Sequence, residues 1–350
     1  MKSNYEPLGK HIQLVDYRNS EEVTSTVLGI SIDKEFMPSV ANVIGTDLSR
    51  YKLISKGLFA CNPMHVGRDE RLPIALYEKD SPAIVSPAYF MFEIIDRDVL
   101  NEEYLMMWFR RPEFDRECWF MTDGSVRGGI TWEDLCRIKL PVPSYARQCE
   151  IVESYRAITD RIALKRAEND NLEAVLAASH SKMFFSKDTS EHSKLGELMT
   201  FGNGKSRPKT DGPIPVYGGN GVLSYTDHHN IENAVLIGRV GAYCGSVYLE
   251  RGICWVSDNA IFAKSKITKD EFFDYFLLKR LNLFNHHVGT GQQLLTQEIL
   301  NNIEVPKPVT EQIELFNRKA ASVFETIFTN SREIIRLQEL SDLLLSRLAG

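Results

Sequence analysis

One stretch of this chain is written twice. Leu140-Pro141-Val142-Pro143 returns as Val305-Pro306-Lys307-Pro308, an offset of 165. Just upstream, Trp132-Glu133-Asp134-Leu135 with Ile138 matches Gln297-Glu298-Ile299-Leu300 with Ile303 at the same offset. Downstream, Arg147-Gln148-Cys149-Glu150-Ile151 matches Glu311-Gln312-Ile313-Glu314-Leu315 at 164, so one residue is lost between them. Near the start, Leu8-Gly9 matches Leu195-Gly196 at 187, which makes the first variable block about 22 residues longer than the second. The unit is a variable block, a Pro-x-Pro punctuation and a helix. It divides the chain into 1–145, 146–189, 190–308 and 309–350.

Both helices carry a long apolar stripe. In the first, steps of four and three pass through Ile151, Tyr155, Ile158, Ile162, Leu172 and Leu176; in the second, through Val323, Ile327, Ile334, Leu337 and Leu344. A period of 3.5 residues held over more than four heptads predicts a coiled coil, here an antiparallel pairing of the two helices. Lys165, Asn169 and Asn330 interrupt the stripe with polar groups of the kind that fix register. The other reading is two separate amphipathic helices, each on its own domain. A helix of about 33 residues at ~1.5 Å per residue makes a rod of roughly 50 Å, the length of a spacer.

The blocks between the helices are mixed. Ala234-Val235-Leu236-Ile237-Gly238 and Gly245-Ser246-Val247-Tyr248-Leu249 predict short strands, whereas Asp270 to Phe284 and Glu102 to Phe109 predict helices. The expected fold is α+β, with two mixed α/β lobes alternating with two long helices.

Composition narrows the function. The chain of 350 residues has a formal net charge of −6, 43% hydrophobic residues and 25% charged ones. That excludes a histone-like coat held by bulk charge and excludes wholesale disorder, but it permits local basic surfaces. The six cysteines form no C-x-x-C pair, and neither His228-His229 nor His286-His287 has a nearby Cys partner, so no metal is expected. The N-terminus is polar, and no run approaches the ~18 apolar residues of a membrane span. A cytoplasmic location is expected.

Catalytic motifs fail one by one. Gly202-Asn203-Gly204-Lys205-Ser206 tempts a phosphate-loop reading, but Met199 stands where the first glycine belongs and Arg207-Pro208 follows instead of a helix. Asn62-Pro63-Met64-His65 lacks the second proline and the aromatic of an adenine-methylating motif. No lysine has an acidic residue two positions before it, and neither G-x-S-x-G nor H-E-x-x-H occurs. The chain reads as non-catalytic.

What the second block offers instead is a set of polar, aromatic and glycine-rich loops. These are Tyr217-Gly218-Gly219-Asn220-Gly221, Leu236 to Gly245 around Arg239 and Tyr243, Trp255-Val256-Ser257-Asp258-Asn259, and Gly289-Thr290-Gly291-Gln292. Asn and Gln match an adenine edge and Arg a guanine edge. Hydrated surface loops have similar composition.

These motifs resemble the target-recognition domains of type I restriction-modification specificity subunits. The first block is similar to the same family through Ser125-Val126-Arg127, Trp132-Glu133-Asp134-Leu135, Ile138 to Pro143 and Gln148 to Val152. The resemblance implies that each block reads one half of a split double-stranded DNA site. It also implies that the paired helices set the unread spacer and dock two methyltransferase subunits, and that restriction subunits carrying translocase and nuclease join them. The chain itself would bind no cofactor. S-adenosylmethionine, ATP and Mg2+ would belong to the partners, and no membrane is involved. Carried over residue by residue, the implied DNA-facing candidates are Lys205, Arg207, Asn220, Arg239, Tyr243, Ser257, Asn259 and Gln292. In the first block they are Arg68, Ser125 and Arg127. Two alternatives stay open: a related type II system with a fused nuclease–methyltransferase partner, and a two-domain protein–protein scaffold. Residues 1–145 carry 17 basic and 22 acidic side chains, and residues 190–308 carry 12 of each, so neither reader is basic overall. The chain alone should bind DNA weakly.

Overall fold

The computed structural model describes residues 5–40, 45–64, 66–122, 128–186, 191–289 and 291–349. The chain forms two compact units, Met1–Leu164 with Glu333–Gly350 and Lys165–Arg332, and the division falls inside both long helices.

Each unit closes on the repeated segments. In unit 1, Tyr5–Pro7 pairs antiparallel with Lys139–Pro141; in unit 2, His192–Lys194 pairs antiparallel with Glu304–Pro306. The Leu8 amide donates to the Ile138 carbonyl at 2.8 Å, and the Leu195 amide to that of Ile303 at 2.9 Å. Close approach explains the glycine after each leucine. A Cβ on Gly9 would stand 2.7 Å from Cys136 Cβ, and one on Gly196 would stand 2.5 Å from Asn301 Oδ1. The facing helices, Trp132–Arg137 and Gln297–Asn302, are opened by Thr131 and Thr296, whose hydroxyls accept the amides of Asp134 and Ile299.

Between these fixed points the units differ. Unit 1 has two four-stranded sheets. One runs Ile12–Leu14, Phe90–Ile94, Phe59–Cys61, Ile74–Leu76, antiparallel throughout. The other runs Phe36–Pro38, Val27–Ile30, Ala83–Val85, Lys52–Ile54, with its inner pair parallel. Alternation along Phe59–Cys61 feeds two cores. Phe59 and Cys61 face Phe92 and the helix Glu102–Phe109, while Ala60 faces Ile54 and Val85 of the other sheet. Phe59 stacks on Phe92 with ring centroids 5.1 Å apart, and Phe109 meets both edge-on. Lys34 fastens the hairpin Val27–Pro38 to the helix Pro112–Phe120: its buried ammonium donates to Asp115 at 2.6 Å and to the Leu72 carbonyl at 2.9 Å.

Unit 2 has one six-stranded sheet, in the order Met199–Asn203, Ala260–Ser265, Ile231–Gly238, Val247–Val256, Ile214–Gly218, Gly221–Thr226. Val235 and Ile237 point into a core with Phe272, Phe276 and Phe316, and Ala234 and Leu236 into a smaller one with Cys254 and Val256. The strands expected at 234–238 and 245–249 are Ile231–Gly238 and Val247–Val256. The helix expected from Asp270 to Phe284 is shorter, Phe272–Arg280. Asn282 turns left-handed at φ 45°, and a 3-10 turn, Leu283–His286, follows. The helix Glu102–Phe109 has the expected bounds.

The long helices are Tyr145–Phe185 and Thr310–Ser346. In unit 1, Ile151, Tyr155 and Leu344 pack with buried Val152, Leu345 and Leu348; Ile162 is buried, and Ile158, Ile334 and Leu337 are half-buried. In unit 2, Leu176 shares a core with Val323 and Ile327, and Leu172 is half-buried. The partners run in opposite order: Lys165 meets Asn330, Asn169 meets Ile327, and His180 meets Phe316. Within unit 2 the helices are therefore antiparallel. The polar seam positions bond one another. Lys165 Nζ donates to Asn330 Oδ1 at 2.9 Å, and Asn330 Nδ2 to Asn169 Oδ1 at 2.9 Å. In unit 1, Arg161 pairs with Glu333. Each long helix also holds a shorter one. Buried Gln148 accepts the Asn101 amide at 2.9 Å, just ahead of Glu102–Phe109, and buried Asn317 accepts the Phe273 amide at 2.8 Å.

Candidate nucleic-acid interface

Five loops of unit 2 are stitched together by backbone hydrogen bonds. Lys205 N donates to Val256 O at 2.9 Å, and Ser257 N to Tyr217 O at 2.8 Å. Arg239 N donates to Asn259 O at 3.0 Å, Leu295 N to Arg239 O at 2.9 Å, and Gly241 N to Gln293 O at 3.0 Å. Two glycines make this packing possible. A Cβ on Gly204 would lie 1.9 Å from the Ser257 carbonyl oxygen, and one on Gly238 would lie 2.2 Å from that of Tyr243. A Cβ on Gly219 would stand 3.6 Å from the Asn259 carbonyl oxygen and 3.9 Å from Tyr243 Cβ, which places the Gly219-Asn220 turn beside the group.

The structure thus gathers Lys205, Asn220, Arg239, Tyr243, Ser257, Asn259 and Gln292 on one set of loops, with Arg207 two residues beyond Lys205. Lys205, Arg207, Asn220, Asn259 and Gln292 are exposed. Tyr243 is 51% exposed at the end of the 3-10 turn Gly241–Tyr243. Arg239 is half-buried, with one terminal nitrogen donating to the Asp258 carbonyl at 3.3 Å and a buried Nε that has no partner among the described residues. Ser257 is buried, and its hydroxyl also has none. Among the described residues, neither Lys205 nor Arg207 has a side-chain partner, so both charges stand free.

Of the unit 1 candidates, Arg68 alone falls among the described residues. Arg68 is exposed on the short helix Val66–Asp69, but its guanidinium is occupied by a two-point pair with Asp69, at 2.7 and 2.8 Å. Ser125 and Arg127 lie outside the described residues.

Some residues that shape the loops have no signature in the sequence. The Asp258 and Gln293 groups that hold Arg239 and Gly241 are backbone carbonyls, which any residue would supply. Trp255 holds the Lys205 carbonyl through its indole nitrogen at 3.4 Å, a scaffold role. Tyr217 donates to Glu250 at 2.9 Å, and burial together with that carboxylate pushes its hydroxyl far above the usual range. The nearby Cys254 thiol is pushed up to about 12, chiefly by burial, and so stays protonated and unreactive. Among the described residues no group of three His, Cys, Asp or Glu is placed to hold a metal ion, and no helix is long and apolar enough to cross a membrane.

Residues 187–343 match the family described as the type I restriction modification DNA specificity domain. The specificity subunit of the type I restriction enzyme EcoprrI, from Escherichia coli, is 25% identical over 219 residues. That match covers 57% of this chain and 53% of the relative, so the chain spans about half the length of the curated relative it matches. The crystal structure of a type-I restriction-modification S subunit from M. genitalium has the same fold, with a TM-score of 0.59 at 15% identity over 99% of this chain and 96% of that one. Residues 187–343 thus match the type I restriction modification DNA specificity domain, in a chain whose fold is similar to that of an S subunit.

Proposed function

We propose that this chain is the non-catalytic DNA-specificity subunit of a type I restriction-modification complex. Each unit reads one half of a bipartite site, and the helix pair sets the spacer and docks two methyltransferase subunits. Those partners would carry S-adenosylmethionine, and the restriction subunits would carry ATP, Mg2+, translocation and cleavage. The observation that carries this reading is the stitched loop cluster, which lies inside the matched residues 187–343 and presents free cations beside amide and hydroxyl groups. Its cations are too few for tight binding alone, since unit 2 has balanced charge; affinity would come mainly from partners that enclose the duplex.

Methylome sequencing of a strain carrying the chain with its methyltransferase subunit should reveal adenine methylation at a split, asymmetric sequence. Methylation at that same sequence without this chain would sink the proposal.

A further inference from the structure

We propose that the unit 2 loops divide DNA recognition between two kinds of side chain. Arg239, with Ser257 in the turn that holds it, discriminates base pairs, while Lys205 and Arg207 grip the phosphate backbone without regard to sequence. This rests on the DNA-reading function above and assigns roles within it.

The two pairs differ in how they are held. Arg239 is fixed at three points: its amide on Asn259, its carbonyl under Leu295, and its guanidinium on the Asp258 carbonyl. Discrimination needs such fixed donors, because a wrong base then leaves them unpaired and the full desolvation cost is felt. Ser257 is 1% exposed, and it is anchored through its own amide on Tyr217 and its carbonyl under Ala260. Its hydroxyl and Arg239 Nε are both buried and have no hydrogen-bond partner among the described residues. Buried polar atoms in folded chains nearly always have a partner, so a polar group from outside the chain completes these two, a base edge directly or through a bridging water. Lys205 and Arg207 show the opposite arrangement. The Lys205 backbone is strapped to Val256 and Trp255, but its ammonium is exposed and has no partner among the described residues, as is true of the Arg207 guanidinium. A free charge on a flexible stem suits phosphates, which look alike at every base pair.

The test uses the full chain in complex with its methyltransferase subunits and a fluorescent duplex bearing the site found by methylome sequencing. Binding is measured over a range of salt, with each base pair of the half-site changed in turn. Arg239→Lys keeps the charge; it should lose on the order of tenfold in preference at one or two base pairs, with the salt slope unchanged. Ser257→Ala deletes only an unpartnered hydroxyl; it should keep or raise the melting temperature while blurring the same preference. Lys205→Gln and Arg207→Gln should each weaken every duplex alike and lower the salt slope by about 0.9. Full base preference in both Arg239→Lys and Ser257→Ala overturns the division of roles, as does altered preference in Lys205→Gln. A parent complex that prefers no sequence at all overturns the function itself, a distinguishable failure.

Discussion

Where unit 1 stacks two four-stranded sheets across Ala60, unit 2 builds one six-stranded sheet, yet the hydrogen bonds that close the two frames are 2.8 and 2.9 Å long. The difference separates two jobs. The frame must hand the chain to a long helix in the same way twice, so Leu-Gly, the threonine cap and the strand before the helix recur. The sheets answer to whatever their loops must contact, and nothing requires them to agree. The units also differ in how they bury charge. Unit 1 buries a paired ion, Lys34 with Asp115; unit 2 buries His180 among Phe rings and the carboxyl group of Asp274 in the same apolar core region.

The largest effect expected from this contrast is in unit 1. Lys34→Met leaves Asp115 buried, its charge no longer balanced by the ammonium, and should cost about 3–5 kcal/mol of stability by urea unfolding. Replacing both partners by apolar residues should recover most of that loss. A cost below about 1 kcal/mol for Lys34→Met would show that the pair does not fasten the hairpin Val27–Pro38.

In unit 2 the signature is pH dependence. Burial pushes the Asp274 carboxyl up to about 7 from its ordinary 3.8. Between those values the unfolded chain releases a proton that the folded chain keeps, so stability falls as pH rises, by up to about 4 kcal/mol in all. His180 acts in the other direction. Burial, with Arg280 adding to it, pushes its imidazole down to about 3. Below about 6.5 the unfolded chain takes up a proton that the folded chain refuses, and stability falls as pH drops. Asp274→Asn should therefore gain about 2 kcal/mol over the parent at pH 8 and little or nothing at pH 4.5, read from urea midpoints. An equal gain at both pH values would remove ionisation as the cause.

What the sequence made visible follows the same division. The frame and the helix seam were legible because each is local and repeated; Leu8 and Leu195, or Ile151 and Leu344, declare themselves by spacing. The sheets were not legible. Val27–Ile30 lies parallel to Ala83–Val85 across some 50 residues, a pairing no local pattern encodes. The clamp on the short helices shows the limit of a repeat. The sequence match pairs Gln148 with Gln312, yet Gln312 is exposed and Asn317, on the next turns, holds Phe273. In the loop cluster the exposed side chains were readable as types, but their assembly depends on backbone carbonyls of Asp258, Asn259 and Gln293, which carry no signature.

The smallest effect asks how far the frame is shared. Thr131 and Thr296 occupy the same place and both accept an amide three residues on. Thr131, however, begins a full capping box: the Asp134 carboxylate returns to the Thr131 amide at 3.2 Å and to its hydroxyl at 2.7 Å. In unit 2 that position is Ile299, which has no acceptor to return. The hydroxyl and the backbone amide of Thr131 also hold that carboxylate below its usual pKa. Thr131→Ala should thus cost about 1–2 kcal/mol and Thr296→Ala about 0.5–1 kcal/mol. Ile299→Glu should narrow the gap by supplying the missing half of the box. Equal costs in the two alanine variants, measured by urea unfolding at pH 7, would mean that the reciprocal bond adds nothing and that the frames are energetically alike.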